Sequence, residues 1–355
     1  MIKNKNKIYA WGCDFESFRG EGILGLNFLK QLSNVSKFEI TAESPTKSFK
    51  IYKNKINYIK SKKNKNLNFN FFYNYFYPFY GAYKIKKNLK KYDYVCYVNF
   101  LPMWNFILLL LLPKNTILGP ITGANDIGKV KNINGFIKKF LFPFLYKISS
   151  KILRNKKELL FSTSILKKYI KRSKKRQIIK YNYNLINYEN KKRTIKSKNV
   201  DFLFYYRNYS AHGSDIQKKI INQLADKNYK IIVVGQKIFH PRIKNLGIIK
   251  REKVCAYLKK TKFTLNEATN FLSIFALDSL SCAVKIFYNK NSINNKNIFM
   301  NKYFLPLNFD DVENSLLKIE NQYKNYKNEK FPNLDIKKIK IFYDAYFKSH
   351  FKQNK

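Results

Sequence analysis

Residues 201–215, DFLFYYRNYSAHGSD, and residues 263–287, FTLNEATNFLSIFALDSLSCAVKIF, decide the fold of this chain. The first stretch opens with an apolar, aromatic run that predicts a strand over 202–206. A short basic loop follows, and Ser214 and Asp215 predict the start of a helix, because their side-chain oxygens can accept from backbone N–H groups that have no partner there.

The second stretch repeats this order. It predicts a strand over 263–265, a polar loop over 266–273, a helix over 274–281 and a further strand over 285–288. Strand, loop and helix in alternation predict an α/β fold with a parallel sheet and helices on its faces. In such sheets ligands bind at the carboxyl ends of the strands. The N–H groups of a helix that starts there suit phosphate, which makes Ser273 and Ile274 donor-binding candidates.

At these residues the chain resembles the retaining GT-B-fold glycosyltransferases of family 4. Arg207, His212 and Gly213 match the R-x4-K-G loop of that family, and Asn270 and Asp278 fall where it carries its E-x7-E motif. The resemblance implies two Rossmann-like, doubly wound parallel-sheet domains that face a cleft. It also implies transfer of a sugar from a nucleotide-sugar to an acceptor hydroxyl, with retention at the anomeric carbon.

The resemblance assigns a role to each matched residue. Arg207 and His212 contact the donor diphosphate, Asn270 contacts the sugar, and Asp278 holds the nucleotide ribose. Three of these four positions depart from the family pattern: histidine replaces lysine, asparagine replaces glutamate, and aspartate replaces glutamate. Histidine is half neutral near pH 6.5, and asparagine carries no carboxylate. A non-catalytic relic that binds sugars or a partner is therefore an alternative.

Two further turns are candidates by the same resemblance. Gly20 and Gly22 follow the first predicted strand, with a helix expected from about Ile23. By position they match a family loop that borders the cleft, although an ordinary tight turn is an alternative. The turn GPITGAND is similar to a Gly-Pro-x-x-Gly turn of these enzymes. Its residues Thr122, Gly123 and Asn125 are acceptor-side candidates.

The chain has no Asp-x-Asp pair of the kind that holds a divalent metal in glycosyltransferases of the other major fold. The nearest patterns are DFE at 14–16 and the adjacent Asp310 and Asp311. We therefore expect no metal and no cofactor. Fixed cations and helix N-termini must then neutralise the leaving diphosphate, and the planar fork of Arg207 suits two phosphate oxygens.

The charge of the chain is extreme: 70 Lys and Arg against 22 Asp and Glu, a net charge of +48. Such a field attracts phosphates, anionic lipids and nucleic acid. A genomic bias towards A/T-rich codons, which gives a solvated basic surface, is an alternative. The lysine-rich segments 47–65 and 167–180 predict peripheral contact with an anionic membrane, or solvated loops. A basic nucleic-acid-binding protein is the third hypothesis, and we expect no specific nucleic acid partner.

Two apolar segments bear on location. The run 106–112 is seven residues long, whereas a bilayer span needs about 20, so it predicts a buried helix. The aromatic run 69–83 predicts a core helix that turns at Pro78 and Gly81, or a membrane interface. The four cysteines form no C-x2-C pair, and the N-terminus lacks an apolar signal core. We expect a cytoplasmic protein, peripheral on the inner face of the plasma membrane.

The domain expectation follows from these elements. An N-terminal acceptor domain spans 1–187, with its last strand near 181–186, and a polar linker spans 188–199. A nucleotide-sugar donor domain spans 200–330, and a helix within 331–355 crosses back to the first domain by resemblance. The expected partners are a nucleotide-sugar and a glycan or lipid-linked acceptor, in the biosynthesis of bacterial cell-surface polysaccharide, lipopolysaccharide or glycolipid.

Overall fold

A computed structural model describes residues 7–15, 20–61, 71–123, 140–171, 177–188, 197–208, 214–266, 271–290, 303–327 and 336–351. These residues form two compact α/β units. The first unit contains the described residues within Met1–Gly123, Phe140–Tyr183 and Lys337–Lys355. The second contains those within Asn184–Ile336.

The first unit is built on a six-stranded sheet. Its strands, in chain order, are β1 (Lys7–Trp11), β2 (Glu39–Glu43), β3 (Lys47–Tyr52), β4 (Lys55–Ser61), β5 (Tyr94–Tyr97) and β6 (Ile117–Leu118). Their order in the sheet is β4-β3-β2-β1-β5-β6. Four strands are parallel, whereas β3 and β4 form an antiparallel hairpin at one edge. A separate parallel pair joins β7 (Glu158–Leu160) to β8 (Ile178–Lys180).

Helices cover both faces of this sheet. They are α1 (Gly20–Ser36), α2 (Phe71–Asn88), α3 (Phe106–Leu111), α4 (Phe142–Leu153) and, from the C-terminal end of the chain, α9 (Ile336–Ser349). The last helix is tied to the first unit by hydrogen bonds and by ring contacts. The Tyr343 hydroxyl donates to the Asn182 carbonyl at 2.7 Å, and the rings of Phe28 and Phe347 lie 5.1 Å apart.

The second unit contains a six-stranded sheet that is parallel throughout. Its strands are β9 (Val200–Tyr206), β10 (Ile231–Gly235), β11 (Ile243–Gly247), β12 (Thr261–Leu265), β13 (Lys285–Asn289) and β14 (Phe304–Leu307). The sheet order is β11-β10-β9-β12-β13-β14, so β9 is central. The helices are α5 (Ser214–Asp226), α6 (Arg251–Leu258), α7 (Ile274–Ser281) and α8 (Val312–Lys324).

Strand β9 is buried on both faces, as its apolar sequence requires. Phe202 and Phe204 point to one face and pack with α5 and α8. Leu203 points to the opposite face and packs with α6 and α7. The winding of helices on both faces confirms the predicted α/β class with two parallel-sheet domains. It also directs the carboxyl ends of all six strands to one edge.

Three predicted elements are wrong in detail. Helix α1 begins at Gly20 rather than near Ile23. The lysine-rich segment from Lys47 forms the β3–β4 hairpin rather than a loop. Its two turn residues, Lys53 and Asn54, have φ of 46° and 67°. This is the left-handed region that such two-residue turns require. Residues 183–187 form a 3₁₀ helix where a strand was expected.

Two aromatic or apolar helices also differ from expectation. Helix α2 continues through Pro78 and Gly81 without turning. Gly81 permits this packing, because a Cβ there would overlap the Trp11 ring. Helix α3 is only half buried: Leu108 and Leu109 face the core, whereas Ile107, Leu110 and Leu111 are exposed. The expectation of a buried helix over 106–112 is therefore wrong for its outer side.

A buried lysine, Lys198, connects neighbouring segments at the amino-terminal edge of the second sheet. Lys198 precedes β9, and its ammonium donates to the carbonyls of Thr261 at 2.7 Å, Ala283 at 2.9 Å and Cys282 at 3.0 Å. Burial lowers its pKa to about 8. Thr261 is the first residue of β12, and Cys282 and Ala283 form the turn between α7 and β13. The ammonium therefore ties the segment before β9 to β12 and to this turn.

We expect Lys198→Met to lower the free energy of unfolding by about 1–3 kcal/mol, because it leaves buried carbonyls without donors. Urea titration followed by circular dichroism measures this. Lys253→Met is the matched control, since Lys253 is exposed on α6 and should change stability by less than about 0.5 kcal/mol. Equal stability of the two variants would contradict the role given to Lys198.

Candidate functional site

The carboxyl edge of the second sheet brings Arg207 next to the start of α7. Arg207 directly follows β9 and is exposed. Its guanidinium carbon lies 4.9 Å from the centroid of the Tyr205 ring, and the Tyr205 ring lies 5.7 Å from that of Phe275, the second residue of α7. The planes of the two rings are tilted by 33°. These contacts connect the guanidinium, through the Tyr205 ring, to the first turn of α7, so a permanent positive charge lies near a helix N-terminus.

The end of β10 holds the exit of β9 in place. Gly235 has φ of 98°, and a Cβ there would overlap the Tyr206 carbonyl, so the position requires glycine. The next residue, Gln236, donates its backbone N–H to the same carbonyl at 2.9 Å. Its side-chain oxygen accepts from the backbone N–H of Asn208. Arg207 therefore leaves the sheet on a segment whose backbone is held on both sides.

Asn266 organises the segment before α7. It directly follows β12 and is buried; its side chain donates to the Phe271 carbonyl at 3.0 Å and accepts from the Ser273 hydroxyl at 3.1 Å. Ser273 in turn accepts from the backbone N–H of Ala276 at 3.1 Å as the N-cap of α7. The predicted helix start at Ser273 and Ile274 is thus observed. The first N–H groups of α7 lie at the carboxyl edge of the sheet.

Asp278 lies one turn further along α7 and is buried. Arg251, the first residue of α6, donates to both carboxylate oxygens: Nε to Oδ2 at 2.8 Å and Nη2 to Oδ1 at 2.6 Å. Arg251 also donates to the Asn187 carbonyl at 3.4 Å. Arg251 therefore holds the Asp278 carboxylate in a fixed orientation. The ribose role of Asp278 stays a prediction.

The other predicted donor residues are not all described. His212, Gly213 and Asn270 lie outside the described residues, as does Asn125 on the acceptor side. Ser214 follows His212 and Gly213 in the sequence and begins α5. Its hydroxyl is buried with no hydrogen-bond partner among the residues that the structure describes. A buried hydroxyl without a partner is costly unless a ligand or water satisfies it.

In the first unit, Asn99 plays a part similar to that of Asn266. It follows β5, is buried, and donates to the carbonyls of Asp14 and Glu21. Gly12 and Gly25 make room for it, because a Cβ at either would overlap its side chain. Asn99 thereby fixes the segment after β1 against the first turn of α1. Both asparagines are the first polar residues after a buried strand. This position in the sequence could have identified them as candidates.

The remaining candidates belong to the first unit. Gly20 and Gly22 lie in the first turn of α1 rather than in the loop before it, so their donor role stays a prediction. Thr122 is held by its backbone, which donates to the Leu101 carbonyl at 3.0 Å and accepts from Met103 at 2.8 Å. At Gly123 a Cβ would overlap the Leu166 side chain. The acceptor role of this turn also stays a prediction.

The described residues also bear on the expectations about a metal ion and a membrane span. Across the described part of the chain, no three His, Cys, Asp or Glu side chains come together in a way that suits a metal ion. No described helix combines the length and the apolar character needed to cross a bilayer.

Solved structures with the same fold span almost the whole chain. The sucrose-phosphate synthase of Thermosynechococcus elongatus matches with a TM-score of 0.57 and 10% identity, over 98% of this chain and 95% of its own. The pneumococcal O-GlcNAc transferase GtfA, solved with UDP and GlcNAc, matches with a TM-score of 0.51 and 10% identity, over 88% and 65%. A Listeria monocytogenes protein described as a UDP-N-acetylglucosamine 2-epimerase matches with a TM-score of 0.52 and 10% identity, over 99% and 98%.

No family profile matches the chain, and no curated protein matches its sequence. Likeness at this level of identity shows fold alone. The chain therefore has the GT-B architecture, in which glycosyltransferases and a nucleotide-sugar epimerase are its structural neighbours.

Glu21 supplies a pH test of the first unit. Burial, and then the negative charge of Asp14, raise its pKa to about 7. The folded state therefore holds this proton more tightly than the unfolded chain, and stability falls as pH rises from about 4.5 to about 7. We expect Glu21→Gln to be more stable than the wild type by up to about 3 kcal/mol at pH 8, since each unit of pKa shift is worth about 1.4 kcal/mol, and equal to it at pH 4.

Urea titrations at pH 4, 6 and 8 measure this difference. The control Glu252→Gln, at an exposed position of α6, should shift stability by less than about 0.5 kcal/mol at each pH. A Glu21→Gln variant whose stability parallels that of the wild type at all three pH values would contradict the raised pKa.

Proposed function

We propose that this protein is a glycosyltransferase that moves a sugar from a nucleotide-sugar to an acceptor hydroxyl, with retention and without a metal ion. The observation that carries the proposal is the contact of Arg207 with Tyr205, and of Tyr205 with Phe275, at the carboxyl edge of a parallel sheet. It brings a cation and a helix N-terminus to the place where this architecture binds ligands. The shared fold with two sugar-transferring enzymes supports the same reaction class.

The chemical task is to stabilise a diphosphate as it leaves the anomeric carbon. Arg207 donates two parallel N–H bonds to phosphate oxygens, and the first N–H groups of α7 add a partial positive charge. The Ser214 hydroxyl is well placed in the chain to donate a further bond, because it follows the matched loop and has no partner among the described residues. Preorganised donors of this kind lower the barrier without a metal. His212 is proposed to assist at the diphosphate.

The sugar and the nucleotide are assigned to the rest of α7 and its loop. Asn270 is proposed to hydrogen-bond the donor sugar, and Asp278 the ribose. The bidentate bond from Arg251 orients the Asp278 carboxylate. A uridine nucleotide is the first donor to test, since the GtfA structure contains UDP.

The acceptor is proposed to be a glycan or a lipid-linked glycan of the bacterial cell surface, with Thr122, Gly123 and Asn125 on the acceptor side. The net charge of +48 favours contact with anionic lipid. We therefore place the protein at the inner face of the plasma membrane, in contact with it but not through it.

One alternative keeps the binding site without the reaction. Histidine at 212 and asparagine at 270 weaken two family positions, and a protein with these changes can retain sugar binding alone. Release of nucleoside diphosphate from a nucleotide-sugar, with and without acceptor, separates transfer from mere binding. Salt-dependent binding of oligonucleotides tests the remaining hypothesis, a nucleic-acid-binding protein.

The donor site is tested by calorimetry with UDP. We expect Arg207→Ala to weaken binding about 10- to 100-fold, because a bidentate charge-assisted bond contributes about 1.5–3 kcal/mol. Arg207→Lys should recover only part of the affinity, since the fork is lost. Asp278→Ala should also weaken binding, whereas Asp278→Glu restores the family residue and should be tolerated.

Lys237→Ala is the matched control for charge, since Lys237 is an exposed cation of the same unit. It should leave the affinity within about twofold of the wild type. Equal affinity of the wild type, Arg207→Ala and Asp278→Ala for UDP would remove the donor site from this edge, while leaving the fold unchanged.

Metal independence is tested by turnover in a chelator. If protein cations and helix N–H groups neutralise the leaving diphosphate, activity in EDTA should equal activity in buffer within about twofold. Loss of turnover in EDTA, with recovery on addition of Mg²⁺ or Mn²⁺, is the result that refutes this mechanism.

A further inference from the structure

Helices α2, α3 and α4 form a layer on one face of the first sheet. Helix α2 packs against α3, and α3 packs against α4. Their inner sides join a single core with the strand residues beneath. The inward residues include Ala82, Ile85, Leu108, Leu109, Tyr146 and Leu153. The opposite sides of the three helices therefore face away from this core.

That outer surface is rich in large apolar side chains. Six of them are between 48% and 66% exposed, and we call them the apolar face: Phe76, Tyr83, Ile107, Leu110, Phe140 and Phe144. Helix α3, FILLLL, has no polar residue at all. Single exposed apolar residues are ordinary, but a group spread over three neighbouring helices marks an interaction surface.

The charge around the apolar face has one sign. The sequences of α2, α3 and α4 contain no aspartate or glutamate. Exposed lysines lie on these helices or just beyond their ends: Lys86, Lys87, Lys114, Lys147 and Lys151. An apolar centre with a cationic surround complements an anionic bilayer, where apolar side chains enter the acyl boundary and lysines meet the headgroups.

The charge also argues against a second copy of the chain as the occupant. Two copies joined through this surface would bring lysines of the same sign together, which costs free energy in a desolvated interface. Helix α3 is six residues long, about 9 Å at 1.5 Å per residue, far less than the roughly 30 Å core of a bilayer. The surface suits insertion at the interface.

We propose that the apolar face is the surface by which this protein inserts into the headgroup region of an anionic membrane. The inference rests on the membrane contact proposed above, because the anionic membrane is the partner of this surface. It is independent of the chemistry of the second unit. It differs from attraction by the basic segments 47–65 and 167–180, because charge alone requires no apolar side chain to leave water.

The test is flotation of the full chain with vesicles of phosphatidylcholine, with and without about 30% phosphatidylglycerol. The variant is the triple substitution Ile107→Ser, Leu110→Ser and Phe144→Ser. We expect it to lower the partition coefficient on anionic vesicles at least about tenfold, because three large apolar groups no longer leave water. Lys147→Glu with Lys151→Glu should lower binding to the anionic vesicles only.

The matched control removes three exposed apolar side chains from the second unit. Phe239→Ser, Ile248→Ser and Leu317→Ser alter exposed positions of the second unit and should leave the partition coefficient within about twofold. Near-ultraviolet circular dichroism checks that each variant is folded. The single variant Leu110→Ser, with an intermediate loss, covers the case in which the triple variant does not fold.

Brominated lipids give a second readout. Trp104 stacks on Phe142 of α4 at 5.7 Å, beside the apolar face, and the other tryptophan, Trp11, is buried. Quenching of Trp104 fluorescence in the wild type, reduced in the triple variant, supports insertion.

Three results overturn the inference. In the first, the wild type floats with anionic vesicles and the triple variant floats equally, which leaves the membrane contact itself intact. In the second, the wild type does not float, and the proposed membrane contact fails as well. In the third, sedimentation equilibrium shows a wild-type dimer that the triple variant lacks, with vesicle binding unchanged. Sugar transfer is measured separately and is unaffected by any of the three.

Discussion

The second unit depends on the burial of β9 on both faces. Phe202 and Phe204 fill one core, and Leu203 fills the other. A strand buried on both faces is typical of a parallel sheet that helices cover on both sides. The parallel pairing sends every strand in the same direction. The loops after β9, β10 and β12 therefore emerge at one edge, together with the start of α7.

Polar side chains then fix what emerges at that edge. Gln236 holds the segment after β9, and Asn266 joins β12 to the N-cap of α7. Arg251 and Asp278 link the first residue of α6 to the middle of α7. These contacts do not form the core, but they convert a sheet edge into a rigid surface with a cation and a helix N-terminus. Asn99 does the same for the segment after β1 in the first unit.

The two units use apolar residues differently. In the second unit, apolar residues of the strands and helices mostly face the two cores. In the first unit, α2, α3 and α4 carry apolar residues on both sides, and only the inner side is covered by the sheet. The outward residues of α3 are apolar because its sequence contains no polar residue that could face outward instead. The lysine surround of the apolar face gives the first unit a surface that the second does not share in this form.

Much of the fold follows from the sequence alone. The alternation of strand, loop and helix around Arg207 and Asp278 determined the α/β class, the bounds of α7 and the sheet edge at which Arg207 lies. Local patterns suffice there, because burial of a strand and capping of a helix involve residues close in sequence. The continuation of α2 through Pro78 was not predictable in this way. Neither was the close approach of Gly81 to the Trp11 ring, because that contact joins residues far apart in sequence.

Tertiary structure decided the partners of individual side chains. The bond between Arg251 and Asp278 joins residues on two helices. The three carbonyls around Lys198 come from the start of β12 and from the turn between α7 and β13. The outward side of α3 could not be distinguished from its inward side by sequence, because all six residues are apolar. Which apolar residues meet water depends on where the sheet lies, and only the packing of the whole unit sets that.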